Sequence, residues 1–327
     1  MPTDNTFALP STDNPLIQEL LPRLASDDAG VRRVALIELA DLEDPDSLPF
    51  FEHAVRLDED PVLRAQAAKL LEAWDEPEIA TALCDALSDP DQSVREAAAL
   101  SLAEFKSPES GYAILGYTSH PSPEVRAYVF RALREIRLPE SAEPALAALG
   151  DENAVIRREA VGVLGWLKHL PAIPQLAKLA TDDPVEDVRR TAVGTLSMSD
   201  NTEAANALLT ALKDSAWQVR EEAASAFGKL RLQSGAKALL ELLADDYWQC
   251  RLQAARALGK LRFVPAISAL QELLSHTISN LRKEAALALG EIGDKSAVSA
   301  LRLAERDSDP EVRKAVRIAL AQLEAPL

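Results

Sequence analysis

Cysteine is nearly absent. Cys84 and Cys250 are the only two in 327 residues, too few and too far apart for a disulfide framework or a zinc site. Aromatic residues make up only 5% although apolar residues reach 47%. Ala and Leu carry the excess, and both cost little in a helix, so the composition is that of an all-α protein. Basic residues are outnumbered, 35 Lys and Arg against 52 Asp and Glu, for a net charge of -17. Such a field repels phosphate and anionic lipid, which argues against nucleic acid as a partner. No apolar run approaches the ~20 residues that span a bilayer, so no membrane association is expected. The opening MPTDNTFALPSTDN has neither a basic stretch nor an apolar core, and a cytoplasmic location is expected. The chain also lacks a nucleophile elbow, a Walker loop and a dinucleotide fingerprint, so a non-enzymatic role without a cofactor leads.

What the sequence does have is a period. An apolar residue followed by Arg recurs as Val31-Arg32, Leu63-Arg64, Val94-Arg95, Val125-Arg126, Ile156-Arg157, Val188-Arg189, Val219-Arg220, Cys250-Arg251, Leu281-Arg282 and Val312-Arg313. A small residue follows three positions after many of these arginines, and a large apolar one follows seven after each, from Leu39 and Leu71 to Leu289 and Leu320. Spacings of three, four and seven lie along one helical face, which makes this stretch the second helix of each unit. Upstream lies another amphipathic stretch, such as AANALLTALKD or ISALQELLSH, often entered through Pro, Ser or Asp. The expected fold is therefore ten two-helix repeats of about 31 residues, each covered by its neighbours. One solenoid is expected over residues 14–327 with no internal boundary, preceded by a disordered tail over 1–13. Gly228, Gly259 and Gly290 recur at one position of the second helix, where a missing side chain lets a neighbouring helix come close.

The anchor VRxxAAxALGxLG, nearly whole in VREEAASAFGKL, CRLQAARALGKL and LRKEAALALGEIG, resembles the HEAT-like repeat of the phycobilisome lyases. The resemblance covers about residues 14 to 327. It implies a right-handed α-α superhelix, a HEAT-like solenoid whose second helices line the concave surface. It does not choose a function, because such repeats occur in scaffolds, in cofactor-attachment proteins and in engineered binders.

Six residues before the Arg stands an Asp in seven repeats: Asp58, Asp89, Asp151, Asp183, Asp214, Asp245 and Asp307. An acid in the turn facing an Arg at a helix start forms a charge-assisted bond that ties repeats together, so the arginines read as structural and no cation is left for phosphate. His120 and His276 take the same turn position and read as substitutes for that Asp. Deoxyhypusine hydroxylase, which has similar repeats, holds two irons through His-Glu pairs. None of the four histidines here precedes Glu, so no metal is expected. Cys250 stands where the repeat wants Val and reads as a small buried residue. Neither cysteine has His and acid partners at a recognisable spacing for a nucleophile.

Within the anchor, the positions one, two, five and nine after the Arg map the concave surface implied by the resemblance. In the middle repeats these positions supply Tyr128, Arg131, Glu135, Arg158, Glu159, Gly162, Trp166, Arg190, Gly194 and Met198. Aromatic anchors with flanking arginines are typical of interface centres, so Tyr128, Arg131, Arg158, Trp166, Arg190 and Met198 form the candidate partner-binding strip, with Gly162 and Gly194 opening room between them. Trp217 and Trp248 hold one turn position in adjacent repeats and Tyr247 precedes the second, which makes these three a secondary edge patch. The expected function is a scaffold or assembly factor gripping a protein partner of undetermined identity. The alternative implied by the resemblance is a bilin lyase-like chromophore-attachment subunit, with Arg131, Arg158 and Arg190 meeting the propionates of a tetrapyrrole and Tyr128 and Trp166 packing on its rings.

Overall fold

The computed structural model describes residues 9–324. The tail expected to be disordered over 1–13 lies mostly outside the described residues. Its end, residues 9–13, is irregular chain, and the Thr12 carbonyl accepts from Gln18 Nε2 at 2.9 Å. The described chain is all-helical, and its packing groups it into two compact units, Met1–Leu167 and Lys168–Leu327. The first unit pairs α1 (Pro15–Leu24) with α2 (Ala29–Ala40), α3 (Leu48–Leu57) with α4 (Pro61–Leu70), and α5 (Pro77–Ala86) with α6 (Gln92–Glu104). It continues with α7 (Pro108–Leu115) and α8 (Pro123–Ile136), then α9 (Ala142–Ala148) and α10 (Ala154–Trp166). The second unit pairs α11 (Ile173–Asp182) with α12 (Glu186–Leu196), α13 (Thr202–Ala211) with α14 (Trp217–Leu230), and α15 (Ala236–Leu242) with α16 (Trp248–Lys260). It ends with α17 (Ile267–Leu273) and α18 (Ser279–Ile292), then α19 (Val298–Ala304) and α20 (Pro310–Glu324). This is an α-α superhelix of ten two-helix repeats.

Local chemistry starts the second helices. Asp28, Asp60, Asp91 and Asn153 cap α2, α4, α6 and α10 by accepting backbone N–H bonds from the first turn, and Pro opens α4, α8 and α20. The apolar positions of the period make the core. Every large residue seven after the Arg is buried, from Leu39 and Phe227 at 0% exposure to Leu320 at 4%. The residue before the Arg is buried too, except Val31 of the first repeat at 36%. Late in the second unit the helices approach as the recurring glycines require: a Cβ on Gly228, Gly259 or Gly290 would lie 2.7–3.0 Å from the Cα of Ala257, Ala288 or Ala319.

The period of Arg and Asp is a ladder. Asp58, Asp89, Asp151, Asp214, Asp245 and Asp307 are each held by the Arg of the preceding repeat, as in Arg64 Nε to Asp89 (2.7 Å), Arg189 Nε to Asp214 (2.7 Å), Arg220 Nε to Asp245 (2.7 Å) and Arg282 Nε to Asp307 (2.7 Å). The same Asp caps its own turn, accepting the N–H two residues on, and its backbone carbonyl accepts from the Arg six residues later in its own repeat. One short acidic side chain thus closes its turn and joins two repeats. Burial pushes the carboxyls of Asp214 and Asp245 up, but the bonds from Arg189 and Arg220 and from the backbone outweigh it and hold both below the usual carboxylate range.

The ladder changes character at its two histidines. His120 and His276 reproduce the capping half of the Asp role, each accepting an N–H through Nδ1, from Ser122 at 3.2 Å and from Ile278 at 3.0 Å. They do not supply the missing charge. Arg95 turns instead to Glu124 at 3.3 Å, whereas Arg251 meets His276 Nε2 at 3.4 Å. The expectation that an acid pairs with the Arg of every repeat therefore fails at Arg251.

Candidate partner-binding surface

In the first unit the candidate strip lies on α8 and α10. Tyr128 is half-buried, and burial followed by the nearby Glu124 and Glu96 pushes its phenol up. Arg131, one turn further along α8, is exposed. At the far end of α10 Trp166 is 49% exposed and lies beneath the guanidinium of Arg137, which stands 4.2 Å from the ring centroid. Arg137 reaches it because the chain leaves α8 in the left-handed conformation, φ 60°. Arg137 is not among the strip positions of the repeat, and no glycine marks the left-handed residue there. Cation and ring attract through the ring quadrupole, so the pair presents a fixed, half-exposed aromatic plate.

Two expectations about the strip are corrected. Glu159, read as facing outward, is 6% exposed and accepts from Arg134 Nη1 and Arg158 Nη2, both at 2.8 Å. Gly162 does not open a space, because the Arg134 side chain lies over it; a Cβ there would come 2.9 Å from Arg134 Cδ. In the second unit Glu222 covers Gly194 in the same way, with its Oε1 3.1 Å from where a Cβ would be. Burial pushes the Glu222 carboxyl up, against the pull of Arg190 and Lys229. The physical reason is common to both. A small residue between neighbouring second helices leaves a slot, which a long charged side chain from an adjacent second helix, the preceding one for Arg134 and the following one for Glu222, fills with its stem. Glu284, at the repeat position of Glu159, is likewise buried and held by an Arg of the preceding second helix, Arg256, at 2.9 and 3.1 Å.

Arg190 is exposed on α12 with a 3.3 Å contact to Asp187, and Met198 is half-buried just past the end of that helix. At the edge of the second unit Trp217 stacks on Tyr247, with centroids 5.4 Å apart and planes at 15°, and Arg220 lies 5.8 Å from the Tyr247 centroid. Tyr247 stays 46% and Trp248 37% exposed. The edge patch is thus part packing, through Trp217, and part open surface.

The sequence pattern of HEAT repeats matches residues 53–116, 112–197, 183–259 and 236–321, which is most of the chain. The chain belongs to the HEAT-repeat family. The match supports the HEAT repeat itself and not the phycobilisome-lyase subtype. No curated protein matches this HEAT-repeat chain. Solved structures share its fold. An engineered protein is 21% identical with a TM-score of 0.53, covering 95% of this chain and 99% of its own. YibA of Escherichia coli is 20% identical with a TM-score of 0.54, covering 92% and 98%. Yeast importin-β, Kap95p, is 14% identical with a TM-score of 0.64, covering 94% of this chain and 50% of its own, so the chain spans about half the length of that importin.

Both cysteines of the HEAT-repeat protein are buried. Burial pushes both thiols up, Cys250 to about 12, and Cys250 donates to the Trp217 carbonyl at 3.3 Å. His53 is lowered by burial and lines a cavity of about 630 Å³ at the first two repeats, together with Phe50, Leu24 and Asp58. No helix among the described residues is long and apolar enough to cross a membrane.

Proposed function

We propose that this HEAT-repeat protein is an interaction scaffold that holds a protein partner on the exposed face of its second helices, with Trp166 as an anchor in the first unit. The observation that carries the reading is the Trp166–Arg137 plate, half-exposed and held at 4.2 Å, beside the buried Glu159 that fixes Arg134 and Arg158. A rigid aromatic flanked by oriented guanidinium groups loses little conformational entropy on binding, and Trp and Arg are the residues that most often dominate interface energetics. In the second unit Arg190 and Met198 hold the repeat positions that Arg158 and Trp166 hold in the first. The fold is also that of Kap95p, whose structures include complexes with RanGDP and with Nup1. That supports a protein partner as the class of ligand without naming one. The chromophore-attachment reading is weaker, because Arg158 is already committed to Glu159 and offers less to a tetrapyrrole propionate.

The test is affinity capture from extract of the native cell with the wild-type chain and with a Trp166→Ala, Arg158→Glu variant, after matching their circular dichroism. A stoichiometric protein held by the wild type and lost from the variant supports the reading. Equal capture by both removes the partner from this face, and retention of a coloured tetrapyrrole with no protein favours the pigment.

A further inference from the structure

The ladder of the second unit is complete at Arg189–Asp214, Arg220–Asp245 and Arg282–Asp307, each a two-pronged contact with both partners at most 14% exposed. Between the last two stands Arg251, for which the chain supplies His276 in place of Asp. The imidazole copies the cap, accepting the Ile278 N–H through Nδ1 at 3.0 Å. In a neutral ring that leaves the proton on Nε2, the atom 3.4 Å from Arg251 Nη1. Two donors therefore face each other with no acceptor between them. The guanidinium has also rotated from the pattern of the other rungs. Its Nε, which elsewhere grips the carboxylate, donates here to the backbone carbonyl of Asp245. Asp245 itself offers no help, because its carboxylate is taken by Arg220 and by the Tyr247 N–H. The other histidine rung is different in kind, since Glu124 stands in for the missing acid at Arg95.

We propose that Arg251 and His276 form a receptor for a side-chain carboxylate of a partner protein, an Asp or Glu next to an apolar residue in an exposed segment. The carboxylate restores the acceptor that Asp provides at the neighbouring rungs, and a charge-assisted bond to a guanidinium is among the stronger polar contacts available. The apolar neighbour has a surface to meet. Trp248 lies one helical turn before Arg251 on α16, on the same face, and Trp248 and Tyr247 are 37% and 46% exposed. None of these residues belongs to the Trp166 strip, so either proposal stands without the other.

The probe is the blocked dipeptide N-acetyl-aspartyl-phenylalaninamide, titrated into the full chain while the Trp248 indole N–H resonance is followed and assigned by its loss in Trp248→Phe. The expected result is a saturable shift with wild type, weakened about tenfold or more when the peptide carries Asn instead of Asp, and weakened equally by His276→Asp, which fills the vacancy from within. His276→Asp should unfold no earlier than wild type, so its loss of binding reads the rung and not the fold. Absence of a shift, equal affinity for the Asn peptide, or undiminished binding by His276→Asp would overturn the proposal. Tighter binding of N-acetylphenylalanine than of the dipeptide would also overturn it, by assigning the occupant to a chain terminus.

Discussion

Asp245→Ala removes more than an ion pair. Its carboxylate receives Arg220 Nε at 2.7 Å and Nη2 at 3.0 Å, and the N–H of Tyr247 at 2.9 Å. The two side chains are 14% and 8% exposed, so the substitution leaves an almost buried guanidinium without its counter-charge and a turn without its cap. Deleting one partner of a buried pair costs about 3–5 kcal/mol, and the remaining solvent access places this rung near the lower end, about 3 kcal/mol. For a cooperative unit of roughly this size, about 2–4 °C of melting temperature accompanies each kcal/mol, so the transition should fall by about 6–12 °C in thermal unfolding followed by circular dichroism. Asp245→Asn keeps an oxygen for the Tyr247 N–H but not the charge, and should lose about half as much. An Asp245→Ala variant that melts within about 3 °C of wild type would refute the reasoning, because that is the behaviour of an exposed pair worth under about 1 kcal/mol.

Acid should weaken the ladder. Asp214 and Asp245 are held below their unfolded values, so their contribution is complete above the unfolded carboxylate range near about pH 4 and is lost as pH falls through the depressed folded values. Urea midpoints measured from pH 7 to pH 3 should be level above about pH 5 and drop below about pH 4, with a shallower drop in Asp245→Asn. Gly290→Ala places a Cβ 2.7 Å from the Ala319 backbone, and should destabilise by about 1–2 kcal/mol despite the helix propensity gained; a neutral or stabilising effect would mean the helices can separate freely. Arg262→Gly relieves a left-handed residue at φ 50° after α16 and should stabilise by about 1 kcal/mol in the same urea assay, where no gain would contradict it.

The repeats were legible because their signals are local. An Arg after an apolar residue and a large apolar residue seven positions on lie within one helix, and the glycines at 228, 259 and 290 report a contact that recurs in register. The structural reading of the Asp series also followed, since an acid and a base recurring in step must meet in stacked repeats. The detail of the strip did not. Whether Glu159 faces outward depends on the side chain of Arg134, 25 residues earlier, which crosses to the next helix over Gly162. Arg137 meets Trp166 because of a left-handed turn that Glu43, Lys168, Arg231 and Arg262 also adopt without the glycine that would have announced it. The two roles of the turn acid can be separated in the structure but not in the sequence, where His276 looks like a plain substitute; it keeps the cap and leaves the arginine unanswered.

The most direct test of the scaffold reading is site-specific photo-cross-linking in the native cell, with p-benzoylphenylalanine at position 166 and, as a control, at the exposed position 143 on the first helix of the same repeat. The account predicts one discrete protein adduct from position 166 and none from position 143. No adduct from 166, or the same adduct from both, would contradict a partner held on the second-helix face.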